Sequence, residues 1–389
     1  MLLNDLSQLE GIKDTKSFDL LSEMGLPTKS TEEFRQFDIS DIFSKNLLLH
    51  SDEVKLNGGS KYPANQDFYT VIIFDGEVDI KNSILPDSVV FSKKEKNLHR
   101  SPNSLYFLSE AFVEKENEIA IKKDLEKPLM ILNIYSGDDS FVPTSESVVI
   151  EENCKVDIVE LNISNHLRNS FVNANKKLII KDNASLNYTK LQSSTTNNSF
   201  ISNIEPIISK NAKCSLIAID LDSKRALNIV NSTLSCDHSN FSFESIIKLG
   251  KKNKSGNIIS IVHDAEFTES NMVCKHLLDG ESQALFEVKT TVNHEAKFSK
   301  TFQNSQTILL KNGARINANP KLILHTDELE AAHGATSGSL DEEALYYMQS
   351  RGIELPKAEK MLINAIELQV IEKIGNESIE KLALSFIED

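Results

Sequence analysis

The residue best placed to do chemistry lies near the end of the chain, where His333 stands in a run of small side chains, HGATSGS. A neutral imidazole can bind a transition metal or transfer a proton. A single histidine does not hold a metal by itself, so a metal site here needs further ligands from elsewhere. His333 is therefore a candidate ligand, a candidate catalyst, or a loop histidine that only makes hydrogen bonds.

Cysteine and histidine pairs elsewhere offer other combinations of metal ligands. Cys236 and His238 are two residues apart, but a surface turn between two strands explains that pair more simply. Cys274 and His276 share one face of an alternating strand, and stacking could bring His263 near them, yet little else completes a site. The four cysteines form no Cys-x-x-Cys pair, which argues against a disulfide framework or a self-contained zinc site.

The sequence lacks the local motifs of the common catalytic sites. The segment GKKNKSG (250–256) has glycines and lysines without the spacing of a phosphate-binding loop. The segment NHEAK (293–297) lacks the second histidine of a zinc-protease helix, and no G-x-S-x-G nucleophile elbow occurs. We therefore predict a scaffold with no self-sufficient active site and no nucleotide site.

The composition limits the class of protein. The chain has 389 residues, of which 40% are apolar and 25% charged, and its net charge is −15. That negative charge opposes direct binding to nucleic acid or to an anionic membrane surface. The N-terminus lacks the basic start and apolar run of a secretory signal, and no apolar stretch approaches the roughly 18 residues that span a bilayer. We expect a reduced, cytoplasmic protein.

A repeat of near-constant length dominates the middle of the chain. Three segments, VVIEENCKVDIVEL, LIIKDNASLNYTKL and PIISKNAKCSLIAI, place Asn153, Asn183 and Asn211 at equivalent positions, and the segment with Asn312-Gly313 continues the theme. Asparagine and glycine tolerate the left-handed backbone of a sharp turn. Self-similarity at a fixed period predicts a stacked solenoid, here a β-helix, with a β-sandwich as the alternative.

Helical patterns flank this core. We predict a helical or mixed region over 1–105, the β-helix over 106–338 and a helical region over 339–389. Ser339 and Glu342 have the spacing of a capping box, and Pro356 suits the first turn of the next helix. These last helices have broad apolar faces, so they either pack on the end of the solenoid or bind a partner, and both can hold at once.

Several segments together resemble the SufB/SufD family of iron–sulfur cluster assembly scaffolds, and SufD-type chains more than SufB-type chains. The most specific is HGATSGSLDEEALYYMQSRGI, from His333 to Ile353, with its histidine-led stretch, acidic residues and S-R-G-I ending. GLPTKSTEEFRQFDI (25–39) and LEKPLMILNIY (125–135) agree with the family pattern. The resemblance covers most of the chain from about residue 25.

The resemblance implies a mainly β fold, a right-handed parallel β-helix core with N-terminal and C-terminal α-helical segments. It also implies that the core pairs with a SufB-type chain and that the C-terminal helices bind a SufC-type ATPase, which would hydrolyse the ATP. His333 is then a ligand at the interface for a transient iron–sulfur cluster shared with the partner. The residues expected to contact the ATPase are Tyr346, Tyr347, Arg351, Gly352, Ile353, Met361, Leu362 and Ile366.

One departure bears on the role within the family. SufB-type chains carry a functional cysteine in a strand that corresponds to TFQNSQT (301–307), and Asn304 occupies its place here. This disfavours a homodimeric single scaffold, although a homodimer in isolation stays possible, and a flavin in the assembled complex is left open. An exported β-helix enzyme acting on polysaccharide is the other alternative, which the missing signal argues against. We expect that removal of the chain from about Asp341 onward abolishes binding of the ATPase partner and leaves the β core folded.

Overall fold

The computed structural model describes residues 2–49, 66–96, 101, 103–193 and 197–388. Parts of the predicted N-terminal region (50–65, 97–100 and 102) lie outside the described residues. The described chain forms a mainly β solenoid of about eight turns with helices at both ends, which confirms the predicted fold class. Most coils contribute one strand to each of two ten-stranded sheets.

The two sheets alternate along the chain, and neighbouring coils pair in parallel. The first sheet comprises β1 (Leu48–Leu49), β4 (Val89–Lys94), β5 (Glu116–Ile121), β7 (Ser140–Ile150), β9 (Phe171–Ile180), β11 (Ser199–Ile208), β13 (Arg225–Leu234), β15 (Lys254–His263), β17 (Gln283–Val292) and β19 (Arg315–Leu324). The second sheet comprises β2 (Tyr69–Phe74), β3 (Glu77–Val78), β6 (Leu129–Tyr135), β8 (Lys155–Ser164), β10 (Ser185–Ser193), β12 (Lys213–Leu221), β14 (Asn240–Leu249), β16 (Glu269–Leu278), β18 (Ser299–Leu309) and β20 (Leu329–Gly338).

Helices lie before, within and after this series of strands. The α-helices are α1 (Thr15–Met24), α2 (Ser40–Phe43), α3 (Ser104–Phe112), α4 (Glu342–Ser350), α5 (Leu355–Ile371) and α6 (Glu377–Glu388), and short 3₁₀ helices span Leu6–Gln8 and Glu32–Phe34. No helix among the described residues is long and apolar enough to cross a membrane.

The predicted corner residues do adopt left-handed backbone. Asn153, Asn183 and Asn211 have φ values of +62°, +58° and +56° in successive turns from the first sheet to the second. Their stacking is reinforced where the Asn211 side-chain amide donates to Asn183 Oδ1 at 3.0 Å. The assignment of Asn312-Gly313 to this series is wrong, because these residues lie in a turn from the second sheet to the first. A Cβ built on Gly313 would lie 2.7 Å from the Gly280 carbonyl oxygen, so only glycine fits that close stacking.

The interior between the sheets is apolar at one side and polar toward its centre. The core includes Ile158, Leu186, Leu216, Phe243 and Phe286, one per coil. Elsewhere in the interior, the Lys176 ammonium lies 2.9 Å from a Glu146 carboxylate oxygen and 3.0 Å from one of Glu160. Burial alone would raise the pKa of the Glu160 carboxyl group, but the Lys176 ammonium stabilises its charged form. The pKa of Glu160 therefore falls to about 2.

The helices pack on the outer faces of the sheets. In the N-terminal part, α1 and α3 bury Leu21 and Leu105 in a cluster that includes Phe141 and Phe171 of the first sheet. At the C-terminus, α5 and α6 cover the second sheet, and the residues that form this cluster include Val370, Ile371, Ile379 and Ala383 from the helices with Val159, Leu191, Ile217 and Ile246 from the strands. The expectation that these helices pack on the end of the solenoid is wrong, because the apolar residues of the second sheet that they cover lie along the side of the solenoid.

The two ends of the solenoid differ. At the N-terminal end, β3 pairs antiparallel with β2 and β4 pairs antiparallel with β5, so the parallel series ends there. At the C-terminal end, β19 and β20 each pair with one strand and are the last members of their sheets among the described residues. We call this C-terminal end, formed by β19 and β20, the open end.

Candidate functional site

His333 lies at the centre of β20, the last strand of the second sheet. Its register partner in β18 is Gln303. Paired residues of neighbouring strands share a face, and Gln303 is buried with its side chain in the solenoid interior. There Gln303 Nε2 donates to Thr290 Oγ1 at 2.8 Å and to the Lys321 carbonyl oxygen at 3.1 Å. His333 therefore extends the interior row of side chains, yet it is exposed because no further coil covers it.

Small side chains surround His333 along the interior row of β20. The neighbours on that face are Ala331 and Ala335, and Ser337 follows them; these pair with interior residues of β18. Alanine and serine fill little of the cross-section, so they leave the backbone and the imidazole of the last coil accessible to another chain. A closed solenoid end would instead need bulky or polar capping groups. The open end thus presents one imidazole on an otherwise shallow surface.

Asn304 lies beside His333 but on the opposite face of the sheet. It pairs with Gly334, and its side chain is exposed on the outer face. A Cβ built on Gly334 would lie 3.8 Å from Asn304 Oδ1, which is ordinary van der Waals contact. The carboxamide of Asn304 supplies no thiolate, so this position offers no soft ligand for iron.

Buried polar groups lie one and two coils below the open end. His276 in β16 is fully buried, and its Nδ1 is 3.2 Å from Thr307 Oγ1 of β18. Burial disfavours the charged imidazolium and lowers the pKa of His276 to about 4. This histidine is therefore a neutral core residue at ordinary pH and does not reach the surface.

The cysteine and histidine combinations considered from the sequence do not assemble. Cys274, Ser305 and Ala335 form one register column, so Cys274 lies about 10 Å from the last strand, two strand spacings away. Burial raises the pKa of the Cys274 thiol to about 12, which keeps it protonated and unreactive. No group of three or more potential metal ligands occurs among the described residues.

The two other histidines considered from the sequence, His263 and His238, lie in a buried hydrogen-bond network and in a surface turn. His263 is buried, with Nδ1 2.7 Å from Thr268 Oγ1 and Nε2 2.8 Å from Ser270 Oγ. His238 forms a left-handed corner with φ +60°, next to the partly exposed Cys236. This agrees with the interpretation of the Cys236 and His238 pair as a surface turn.

A second candidate surface lies on α4 and the first half of α5. None of the described residues of α4 is buried, and Tyr346 and Tyr347 are 76% and 60% exposed. Met361 of α5 is 45% exposed, whereas Leu362 and Ile366 are half-buried. The broad apolar face predicted for α5 is only partly buried, because the end of that helix buries Val370 and Ile371 whereas Met361 stays in solvent.

Two backbone hydrogen bonds define the turn between α4 and α5. Gly352 has φ +85° and donates its N–H to the Gln349 carbonyl, while the Ile353 N–H reaches the Met348 carbonyl. This Schellman motif explains why glycine stands there. The Arg351 guanidinium lies 5.2 Å from the centre of the Tyr347 ring, within range for a cation–π contact. The turn therefore fixes how the exposed tyrosines are presented.

The helix cap that the sequence suggested is wrong. Asp341, not Ser339, is the N-cap of α4, and its carboxylate accepts 3.0 Å hydrogen bonds from the N–H groups of Glu343 and Ala344. A carboxylate at this position also interacts favourably with the positive end of the helix dipole. Sequence reasoning missed Leu355 as a further exposed residue of this surface, and Leu368 is exposed in the second half of α5. The sequence did indicate exposed apolar residues in α5, because its apolar residues occur at more positions than one helix face can hold.

Comparisons with known proteins agree on one family. A family model for the SufBD core domain of SUF-system iron–sulfur cluster assembly matches residues 133–366, which include His333 and α4. The chain is 20% identical to the iron-sulfur cluster assembly protein SufD of Escherichia coli over 390 residues, covering 94% of this chain and 90% of that protein. It is 24% identical to SufD of Bacillus subtilis over 276 residues, covering 68% of this chain and 61% of that protein.

Proposed function

Because the chain belongs to the SufBD family of iron–sulfur cluster assembly proteins, we propose that it is the SufD-like scaffold subunit of a SUF complex. It pairs with a SufB-type chain through the open end and binds a SufC-type ATPase through α4 and α5. The nascent iron–sulfur cluster is cargo, held transiently between the two scaffold chains and then passed on. The observation that carries the proposal is the open end with a single exposed imidazole at its centre.

The open end suits pairing with a second solenoid. A strand at the edge of a sheet presents unpaired N–H and C=O groups that template pairing with another chain. Here the two sheets end together at β19 and β20, so a partner of similar construction can meet both edges at once. The small residues beside His333 allow the close approach that such pairing needs.

His333 fits the role of one ligand among several. A histidine can replace a cysteine on one iron of a cluster, and the neutral imidazole nitrogen is the binding form. The described residues place no thiol near His333, since Cys274 is buried two coils away. The remaining ligands would be thiolates of the SufB-type chain, which explains why Asn304 can stand where that chain type has a cysteine.

The surface on α4 and α5 suits docking of the ATPase. Aromatic and methionine side chains are enriched at the centres of protein interfaces, and tyrosine combines a large apolar ring with a hydrogen-bonding hydroxyl. Tyr346, Tyr347 and Met361 form an exposed set of this kind. The other half of α5 and α6 anchor the surface to the second sheet. We infer that ATP hydrolysis occurs in the partner and that this chain is a non-catalytic scaffold working in the cytoplasm.

Co-purification followed by anaerobic reconstitution tests the scaffold role. The chain is produced with candidate SufB-type and SufC-type proteins, and cluster absorbance is compared between the wild type and His333→Ala. We expect the complex to form in both and the cluster absorbance to drop only in His333→Ala. The matched control is His325→Ala, which removes another exposed histidine near the open end.

Either of two results would contradict this proposal. Equal reconstitution of wild type and His333→Ala would make His333 structural. A stable homodimer of this chain that reconstitutes a cluster without a SufB-type protein would instead support the single-scaffold alternative.

Tyr346→Ala combined with Met361→Ala tests the ATPase surface. We expect association with the SufC-type protein to weaken at least roughly tenfold, because truncated central aromatic residues usually cost more than about 1.4 kcal/mol. Association with the SufB-type chain should not change. Ile80→Ala is the control, since Ile80 is similarly exposed but lies near the opposite end of the solenoid. Unchanged ATPase binding in the double variant would remove this surface from the proposal.

A further inference from the structure

The residue type at one corner of the solenoid changes from the earlier coils to the later ones. In the earlier coils the left-handed position holds Asn153, Asn183 and Asn211. In the next three coils the same position holds His238, Phe267 and Phe298, with φ values of +60°, +56° and +59°. The backbone bonding continues unbroken, because the N–H of each donates to the carbonyl oxygen of Glu266, Lys297 or Glu328 in the following coil. We call these three side chains the aromatic ladder.

The aromatic ladder is unfavourable to the folded chain in two ways. Left-handed backbone is rare for bulky residues, whereas asparagine is enriched there. Phe267 and Phe298 are also 42% and 49% exposed, so large apolar rings face water. Strain and exposed apolar area coincide at Phe267 and Phe298, on two neighbouring coils, and this coincidence points to an interaction surface.

Coil stacking alone does not require these rings. The asparagine corners of the earlier coils stack in the same geometry, and Asn211 donates a hydrogen bond to Asn183 at 3.0 Å. Asparagine at the later three positions would meet the same backbone requirement with less strain. The aromatic side chains therefore do something that the polar corner does not.

The geometry of the rings limits what binds them. The His238 and Phe267 rings are stacked with centroids 4.9 Å apart and planes 10° apart, and Phe267 and Phe298 follow at 5.1 Å and 21°. This stacking covers both faces of the Phe267 ring and one face of each of the other two rings, so the side of the ladder presents ring edges to solvent. A sugar ring or nucleobase, which stacks on an open aromatic face, finds no such face along that side.

The charges around the aromatic ladder further limit the class of partner that can bind there. The three turns at 235–239, 264–268 and 293–298 contain the carboxylates Asp237, Asp264, Glu266 and Glu295 and a single lysine, Lys297. That lysine forms a 3.1 Å ion pair with Glu328 of the next turn. The ladder therefore lies in a negative field, which favours cationic partners and opposes nucleic acid.

We propose that the aromatic ladder is a docking surface for a cationic, apolar peptide segment of a partner protein. Apolar side chains of the segment pack across the edges of the Phe267 and Phe298 rings, and its arginines or lysines approach the flanking carboxylates. An extended segment suits the site, because the ladder runs along the solenoid axis from one coil to the next. The surface is separate from His333 and from α4, so its role adds to the proposed scaffold function.

The first test compares stability. The triple variant His238→Asn, Phe267→Asn and Phe298→Asn gives the later coils the corner residue of the earlier ones and leaves every carboxylate in place. We expect the urea midpoint of the full chain to stay the same or rise. A clearly lower midpoint would show that the ladder holds the coils together and would overturn the proposal.

The second test compares binding of defined peptides by fluorescence anisotropy. The probe is a labelled peptide of about eight alternating arginine and leucine residues, which at about 3.3 Å per residue passes the whole ladder. Its charge-matched control replaces each leucine with serine. We expect the arginine–leucine peptide to bind the wild type at least roughly tenfold more tightly than it binds the triple variant. Equal affinity for wild type and variant, or equal affinity of the two peptides for the wild type, would reduce the binding to general charge attraction and overturn the proposal.

Discussion

At the scale of single residues, one residue with left-handed backbone shapes each of six successive turns from the first sheet to the second, from Asn153 to Phe298. Asn183 is typical, with φ +58° and a side-chain oxygen that accepts a hydrogen bond from Asn211. Such positions could be predicted from the sequence, since the repeat spacing and the residue type both indicate them. Phe267 and Phe298 could not, because phenylalanine has no preference for left-handed backbone and only the coil stacking places these residues at the corner.

Asn183→Ala should destabilise the chain by about 1–2 kcal/mol, because alanine lacks asparagine's tolerance of left-handed backbone and loses the hydrogen bond. Asn183→Gly should cost less, since glycine adopts this backbone freely. Urea unfolding of both variants measures the difference. Equal losses would mean that the hydrogen bond, not the backbone conformation, determines the cost.

His263 should make stability depend on pH. Burial lowers its pKa from the ordinary 6.5 to about 4, so between these values the unfolded chain binds a proton that the folded chain does not. The free energy of unfolding therefore falls as the pH is lowered through this window, by about 3 kcal/mol for this residue.

Urea unfolding at several pH values, compared between wild type and His263→Gln, isolates this contribution from that of the carboxylates. The variant should lose less stability than the wild type between neutral and acidic pH. Parallel pH profiles for wild type and His263→Gln would contradict the assignment.

At the scale of secondary-structure elements, α4 depends on its caps more than on packing. None of its described residues is buried, while Asp341 caps its start and the Gly352 turn ends it. The sequence predicted a helical region here, and the structure has helices in it. The predicted cap was misplaced, because Ser339 and Asp341 both suit an N-cap and the choice between them depends on where the strand β20 ends.

Asp341→Ala should destabilise α4 by about 1 kcal/mol, since two backbone N–H groups lose their acceptor. Hydrogen exchange of residues 342–350 should quicken severalfold, while global unfolding in urea stays nearly unchanged. Ser339→Ala should have no effect on either. Faster exchange in Ser339→Ala would restore the capping box that the sequence suggested.

At the scale of the whole molecule, the period of the repeat predicts a solenoid, and the described structure is one. The position of the C-terminal helices could not be predicted in the same way. Their apolar faces require a surface, but whether that surface is the end or the side depends on the outward residues of β8, β10, β12 and β14, which come together only when the coils stack. The same limit applies to His333, whose neighbour Gln303 is set by the register between coils.

Ala335→Lys should separate folding from assembly. Ala335 is exposed at the open end, so the free chain should change by less than about 0.5 kcal/mol in stability. Association with a SufB-type chain should weaken at least roughly tenfold, because a buried unpaired ammonium is costly at a close interface. Analytical ultracentrifugation of mixtures measures this, with Thr233→Lys on the outer face of the first sheet as control. Full association of Ala335→Lys would place the interface elsewhere.

The antiparallel strands at the N-terminal end have a consequence for polymerisation. A parallel solenoid with two bare ends could add subunits head to tail without limit, as fibre-forming proteins do. Here the terminal strands β3 and β4 run antiparallel to their neighbours, so the N-terminal end does not present the parallel edge that the open end presents. This mismatch between the two ends disfavours head-to-tail growth of the parallel stack.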